Sequence, residues 1–302
     1  MHVHRAGSVI RVFAPAKLNL SLEVLNKRSD GFHEICTLMV PVGLCDTLAF
    51  EPTRSEDIDC VCHWHSQRLA LRAGTALTVP LADDNLAVRA ARRLREAAGI
   101  SAGAAMHLVK RIPIEAGLAG GSSDAAAALL AANVAWGLGW PVERLSEVAS
   151  GLGSDVAFFL QRRPAVCRGR GEIVEPQAGL APLHFVIVHP PAGLSTAEVY
   201  AHFRPSQRAR GADDLISAWR RGRASDVGRL IYNRLEEPAE GISPWIGRLR
   251  KEFDKLDFLG HQMTGSGSGY FGICHHAKHA RRTAAALRNR GFAQVYAVAG
   301  LN

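Results

Sequence analysis

Pro113-Ile114-Glu115-Ala116-Gly117-Leu118-Ala119-Gly120-Gly121-Ser122-Ser123-Asp124 runs without a break into Ala125-Ala126-Ala127-Ala128-Leu129-Leu130. Glycines in such a stretch admit positive φ and let a bulky anion approach the backbone. Successive backbone N–H groups then form an anion-binding concavity. The helix that follows presents its unpaired N-terminal N–H groups, and about half a positive charge, to the same place. Ser122 and Ser123 can cap that helix or offer hydroxyls to a phosphate or a Mg2+-bound oxygen. The plainer alternative is a flexible turn before an ordinary capped helix. Three glycines, two serines and a first helical turn of small side chains favour phosphate. The segment is not a Walker loop, because no Lys-Ser/Thr follows the glycines, and it is not the dinucleotide fingerprint.

On either side the chain reads as a mixture of strands and helices. Val9 to Phe13, Leu18 to Leu25, Ile35 to Val42 and Thr47 to Phe50 read as strands, with a turn at Lys27-Arg28-Ser29-Asp30-Gly31. From Asp84 the period becomes helical, with Leu86, Ala90 and Leu94 on one stripe and Gly99 as a stop. Met106 to Lys110 is a strand, and the helix after the glycine loop reaches Trp136. Further on, strands are expected at His184 to His189, His261 to Thr264, Tyr270 to Cys274 and Gln294 to Val298. Helices are expected at Asp214 to Arg220, Ala224 to Leu235, Pro244 to Leu256 and Ala277 to Arg290. Irregular mixing of this kind points to an α+β fold rather than a doubly wound sheet. The Arg-rich stretch from Arg162 is the best junction, dividing residues 1–165 from residues 166–302.

The 302 residues are enough for two such domains, and a composition 47% hydrophobic and 21% charged is that of a globular chain. No apolar run approaches the roughly 20 residues of a membrane span, and the N-terminus lacks the apolar core of a secretory signal. A cytoplasmic protein is expected. The net charge of +8 suits an anionic ligand such as a nucleotide. Basic residues are spread along helices and aromatics are few, so binding to nucleic acid is the weaker reading. Six cysteines (Cys36, Cys45, Cys60, Cys62, Cys167 and Cys274) follow no framework spacing. Cys60-Val61-Cys62-His63-Trp64-His65 alternates like a strand, without a second ligand pair at zinc spacing. No metal site is read from these residues.

Two other segments share the small-residue character: Ala14-Pro15-Ala16-Lys17-Leu18-Asn19-Leu20 and His261-Gln262-Met263-Thr264-Gly265-Ser266-Gly267-Ser268-Gly269-Tyr270. Taken with the first loop, they resemble the three signature motifs of the galactokinase, homoserine kinase, mevalonate kinase and phosphomevalonate kinase superfamily. Asp30-Gly31-Phe32-His33, Asp84-Asn85-Leu86 and Gly153-Ser154-Asp155-Val156 resemble, in order and spacing, the branch that phosphorylates an alcohol carrying cytidine diphosphate. The Asp-Gly-aromatic-His turn discriminates best.

The resemblance implies an ATP-side N-terminal domain, a ferredoxin-like C-terminal domain and a site in the cleft between them. It implies Asp155 as catalytic base, with Lys17 pairing with it to steady charge at the reacting hydroxyl. It places Asn85 and Lys110 near the adenine. Pro113, Gly117, Leu118, Ala119, Gly120, Gly121, Ser122 and Ser123 fall in the triphosphate loop. Asn19, Phe32, His33, Thr196 and Tyr200, together with Asp155, are implied on the substrate side. Phe32 and Tyr200 are expected on loops from opposite domains, stacking on the cytosine. ATP and Mg2+ are the implied cofactors.

Departures from the pattern are few. Glu115, Ala116 and Ala119 stand where the family commonly has glycine, Phe32 replaces a commoner tyrosine, and Tyr270 is bulkier than expected. Three rival readings are a kinase of homoserine or mevalonate, a catalytically silent nucleotide-binding protein, and an RNA-binding protein. The Asp30 to His33 turn argues against the first. Retention of both Lys17 and Asp155 argues against the second.

Overall fold

The computed structural model describes residues 1–65, 85–204 and 209–301, so Asp84 of the quoted motif lies outside the described residues. The chain forms two compact units that do not follow a single cut. Residues 1–16, 44–112 and 119–162 form the first, and residues 17–43, 113–118 and 163–302 form the second.

The first unit is built on β1 (His2–Ala6), the start of β2 (Val9–Lys27), the end of β3 (His33–Thr53), β4 (Ile58–Trp64) and β5 (Gly103–Lys110), in the order β1-β2-β3-β5-β4. Thr47 lies opposite Val109 in an antiparallel pair, whereas Ile58 opposes Ala104 in a parallel one. A parallel pair needs a crossover, and α1 (Leu86–Ala98) lies within that connection. Asn85 caps α1, its side-chain oxygen accepting from the N–H of Ala87 at 2.9 Å, and Gly99 ends it in the left-handed region. The buried face Ala87, Val88, Ala90, Ala91 and Leu94 packs against α2 (Gly120–Ala135). Every residue from Ser123 to Ala132 is buried, and from Ala125 on all are alanine or leucine, so this part of α2 has no periodic stripe. Alanine side chains let neighbouring backbones approach closely. Two short helices, α3 (Val142–Ala149) and α4 (Val156–Gln161), complete the unit.

In the second unit, β8 (His184–His189), β10 (Gly260–Met263), β11 (Tyr270–Cys274) and β12 (Gln294–Ala299) form an antiparallel sheet of order β10-β11-β8-β12. Counted along the chain this is 4-1-3-2 read from the other edge, the ferredoxin-like arrangement. Its two helices are α9 (Pro244–Phe253) and α10 (Ala277–Asn289). They bury Ile246, Leu249, Phe253, Ala280, Ala284 and Leu287 with Val186 and Val188 of the sheet. Between β8 and α9 the chain adds α5 (Thr196–His202), α6 (Asp213–Arg220), α7 (Ala224–Leu230) and α8 (Glu236–Ile242). The later part of β2 and the start of β3 also belong here. β6 (Ala165–Gly169) pairs with β3 and with β7 (Ile173–Pro176), and the two-residue β9 (Tyr232–Asn233) pairs with Ser21 and Leu22.

Two differences from the expected elements have simple causes. The four short N-terminal strands are two long ones, because the extended backbone runs on through Pro15 and through the stretch Gly43 to Asp46. The helix expected over Ala224 to Leu235 stops at Leu230, where Ile231 turns extended and Tyr232–Asn233 adds to β2.

The glycine-rich segments 115–118 and 264–269 touch backbone to backbone within the second unit. The N–H groups of Ser268 and Gly269 donate to the carbonyls of Glu115 and Ala116 at 3.3 and 3.1 Å. Gly117 has φ +67, and a Cβ there would lie 2.2 Å from the carbonyl oxygen of Thr264, whereas Gly137 has φ +66 and open space around it. Gly137→Ala should therefore cost only the left-handed strain, about 1 kcal/mol. Gly117→Ala should cost clearly more, because backbone must move. Urea denaturation of the two variants side by side checks the contrast, and equal losses would remove the contact.

Candidate active site

The first unit carries the start of α2 and Asp155. Ala119, at the N-cap of α2, has φ 54 and makes no side-chain capping bond. Glu115 also has φ 54. Both are positions where the motif carries glycine, and a Cβ in that region costs about 1–2 kcal/mol. With no side-chain cap, the first N–H groups of α2 keep their donors available for an anion. The Oγ of Ser123 and the Oδ1 of Asp124 are buried with no hydrogen-bond partner among the described residues. Asp155 stands at the N-cap of α4 but does not spend its side chain on capping. Gly153, two residues before it, lies beside Ser122, where a Cβ would make ordinary contact with the serine Oγ at 3.7 Å.

Lys110, expected near the adenine, has its ammonium between the carboxylates of Asp46 and Asp124, and all three residues are buried. Asp46 also accepts from the backbone N–H groups of Arg111 and Ile112. The cluster thus ties the end of β5 to the first turn of α2 and sets how the chain enters the loop. Burial alone would lower the Lys110 pKa, but the charges of Asp124 and Asp46 outweigh it and hold the ammonium well above the lysine range. Burial, reinforced by Asp46, pushes the Asp124 carboxyl up against the pull of Lys110. Neither aspartate stood out in the sequence, although a charge inside the apolar run Leu44-Cys45-Asp46-Thr47-Leu48 was the available signal.

The second unit carries Lys17 and the expected substrate side. Lys17 is buried, its Nζ donates to Asn19 Oδ1 at 2.6 Å, and its backbone N–H donates to Leu118 O at 3.2 Å. Asn19, expected at the cytidine diphosphate end, is also buried, and its amide is engaged by Lys17, Thr37 and Thr264. Phe32 is 53% exposed. Its N–H donates to Asp30 Oδ1 at 3.1 Å, so the aspartate closes the turn and holds the ring outward. The Arg170 guanidinium lies over that ring, 4.8 Å from its centroid. His33 stacks on Tyr200 with centroids 4.9 Å apart. Burial, helped by the charge of Lys27, lowers the His33 pKa, which favours a neutral ring. Thr196 Oγ1 lies 2.7 Å from Ser266 Oγ of the third motif. Tyr200 is on α5 rather than a loop, and it shares the second unit with Phe32 instead of facing it from another domain.

Tyr270 needs its bulk in a buried network. Its hydroxyl donates to Glu236 Oε1 at 3.2 Å and lies 3.1 Å from His261 Nδ1, while Glu236 Oε2 accepts from the N–H of Met263. Asn233 Nδ2 donates to the carbonyls of Met263 and Gly265 at 2.9 and 2.8 Å. These residues brace the two ends of the third motif, and their roles depend on contacts that local patterning does not show. Burial pushes the Cys60 and Cys62 thiols up to about 11 and 12, so neither acts as a thiolate. No described helix is long and apolar enough to cross a membrane.

Family models describe residues 85–163 as the GHMP kinases N terminal domain and residues 215–293 as the GHMP kinases C terminal. That match defines the class, an ATP-dependent small-molecule kinase. A 4-diphosphocytidyl-2-C-methyl-D-erythritol kinase of Pelotomaculum thermopropionicum is 40% identical over 93% of this chain and 94% of its own length. The enzyme of that name from Geobacillus thermodenitrificans is 37% identical over 96% of each chain. A crystal structure of 4-(cytidine 5'-diphospho)-2C-methyl-D-erythritol kinase superposes with a TM-score of 0.80 at 36% identity, covering 97% of this chain and 99% of that one. The chain belongs to the GHMP kinase family and, within it, to the 4-diphosphocytidyl-2-C-methyl-D-erythritol kinases.

The buried lysine cluster yields a stability test. Removing one partner of a buried ion pair costs about 3–5 kcal/mol, so Lys110→Met should destabilise by about that much at pH 8. Without the ammonium, nothing opposes burial at Asp124, so its carboxyl ionises only at higher pH in the folded state than in the unfolded one. The folded variant then binds the extra proton, so its deficit should shrink toward pH 5 and grow as pH rises. Denaturation curves of both proteins at the two pH values check this, and a pH-independent deficit would contradict it.

Proposed function

We propose that the chain transfers the γ-phosphoryl group of ATP to the 2-hydroxyl of 4-diphosphocytidyl-2-C-methyl-D-erythritol, a step of non-mevalonate isoprenoid synthesis. The exposed ring of Phe32, held out by the Asp30 turn beside the His33–Tyr200 pair, carries the substrate assignment. Such a ring contributes about 1–3 kcal/mol when it stacks on a base. Neutral His33 then offers a hydrogen bond to the base edge. The near full-length likeness to kinases named for a cytidylylated substrate supports the same reading.

The triphosphate lies on Gly117 to Ser123, where the uncapped start of α2 meets its charge. Asn85 lies toward the adenine, Pro113 leads into that loop, and Lys110 holds the start of α2 in place through Asp124. Asp155 accepts the hydroxyl proton as the oxygen bonds to the γ-phosphorus and ADP departs. Lys17 favours the ionised base and the charge developing on that oxygen. Asn19 serves Lys17 rather than the cytidine, and Thr196 meets the substrate with Ser266 at its side. Mg2+ suits this donor set, since Ser123 Oγ is a buried oxygen without a hydrogen-bond partner among the described residues. When bound with ATP, it neutralises phosphate charge.

ADP release should require the cytidylyl alcohol. Faster turnover with homoserine or mevalonate would sink the substrate assignment. Asp155→Asn is nearly isosteric and should keep ATP binding while losing most of kcat, and wild-type kcat in that variant would take the base role away.

Phe32→Ala should raise KM for the cytidylyl substrate by roughly tenfold or more, with KM for ATP hardly changed. Parallel titrations of the two substrates separate that outcome from a general loss of structure.

A further inference from the structure

Lys17 is held by a hydrogen-bond chain in which each donor dictates the next. The Thr37 hydroxyl donates its one proton to the Ser21 carbonyl at 2.6 Å. Its oxygen can therefore only accept from Asn19, and the Asn19 Nδ2 group donates to it at 2.8 Å. That contact orients the amide and turns Oδ1 to the opposite side. There the oxygen receives the Lys17 ammonium at 2.6 Å and the Thr264 hydroxyl at 3.3 Å. Thr264 is oriented in turn, because its oxygen already accepts from the Asn19 backbone N–H at 3.1 Å. Its proton is left for Oδ1. With the amide reversed, its NH2 would face an ammonium that has only donors, and Thr37 and the amide oxygen would meet as two acceptors. Thr37, Asn19 and Thr264 are all buried, so water does not offer easy substitutes. Gly265 completes the seat, since a Cβ there would lie 3.3 Å from Lys17 Nζ.

We infer that Thr37 and Thr264 are positioning residues, which set through the Asn19 amide where Lys17 delivers its charge. The inference rests on the reading of Lys17 given above. It also links the glycine-rich stretch 264–269 to Lys17 of the Ala14 to Leu20 segment, because Thr264 holds the amide that Lys17 meets.

Thr37→Val and Thr264→Val keep the shape of the side chain and remove the hydroxyl. Each should lower kcat about tenfold to a hundredfold, the scale of a lost hydrogen bond to a charge-bearing network. KM for ATP should hold, and thermal unfolding checks that each variant is folded. Thr37→Ser and Thr264→Ser restore the hydroxyl and should recover most of the loss, which a packing role would not require. In a Lys17→Met background the valine substitutions should cost nothing further, because they act through the lysine. Wild-type kcat in both valine variants, or the same fold-loss with and without Lys17, would overturn the latch. Wild-type kcat in Lys17→Met alone would overturn the role of Lys17 first, and the latch with it.

Discussion

The contact on which the second unit depends is the one between the backbones of 115–118 and 264–269. Two segments far apart in sequence exchange N–H to carbonyl bonds there, with no room for a side chain at Gly117 or Gly269. That closeness brings Thr264 to Asn19 and sets Gly265 against Lys17. It also explains how Glu115 tolerates its left-handed backbone, since its carbonyl accepts from Ser268 and its side chain lies over Gly193. Strain of this kind persists where the surroundings over-determine the conformation.

Two lysines in these motifs are handled in opposite ways. Lys110 is enclosed by two carboxylates, which fixes the geometry of β5 and α2. Lys17 is steered by the oxygen of an amide whose orientation is imposed from its far side. A carboxylate pair serves a brace, because charge attraction in a buried place tolerates no wandering. An oriented amide fixes the direction of a cation while adding no charge of its own.

Much of the fold was legible locally. The α2 loop, the α1 stripe with its Gly99 stop, and the strands β8, β10, β11 and β12 follow from turn residues and periodicity, which are short-range properties. The long β2 and β3 were not, because Pro15 and the stretch Gly43 to Asp46 imitate strand breaks. The units were not either. The stretches 17–43 and 113–118 join residues 163–302 through pairing and loop contacts that a linear boundary cannot express.

By itself the sequence determined the chemistry that is available: a phosphate-binding turn, a lysine and an aspartate in recognisable motifs, and an Asp-Gly-Phe-His turn that names the substrate class by resemblance. Only the tertiary structure decided which of those groups are committed elsewhere. It placed the Lys110 ammonium between Asp46 and Asp124, and the Asn19 amide among Thr37, Thr264 and Lys17. Thr37, Asp46, Asn233 and Thr264 carried no motif of their own meaning. A hydrogen bond depends on distances of about 3 Å, and residues separated by up to 245 positions in the chain come that close only after folding.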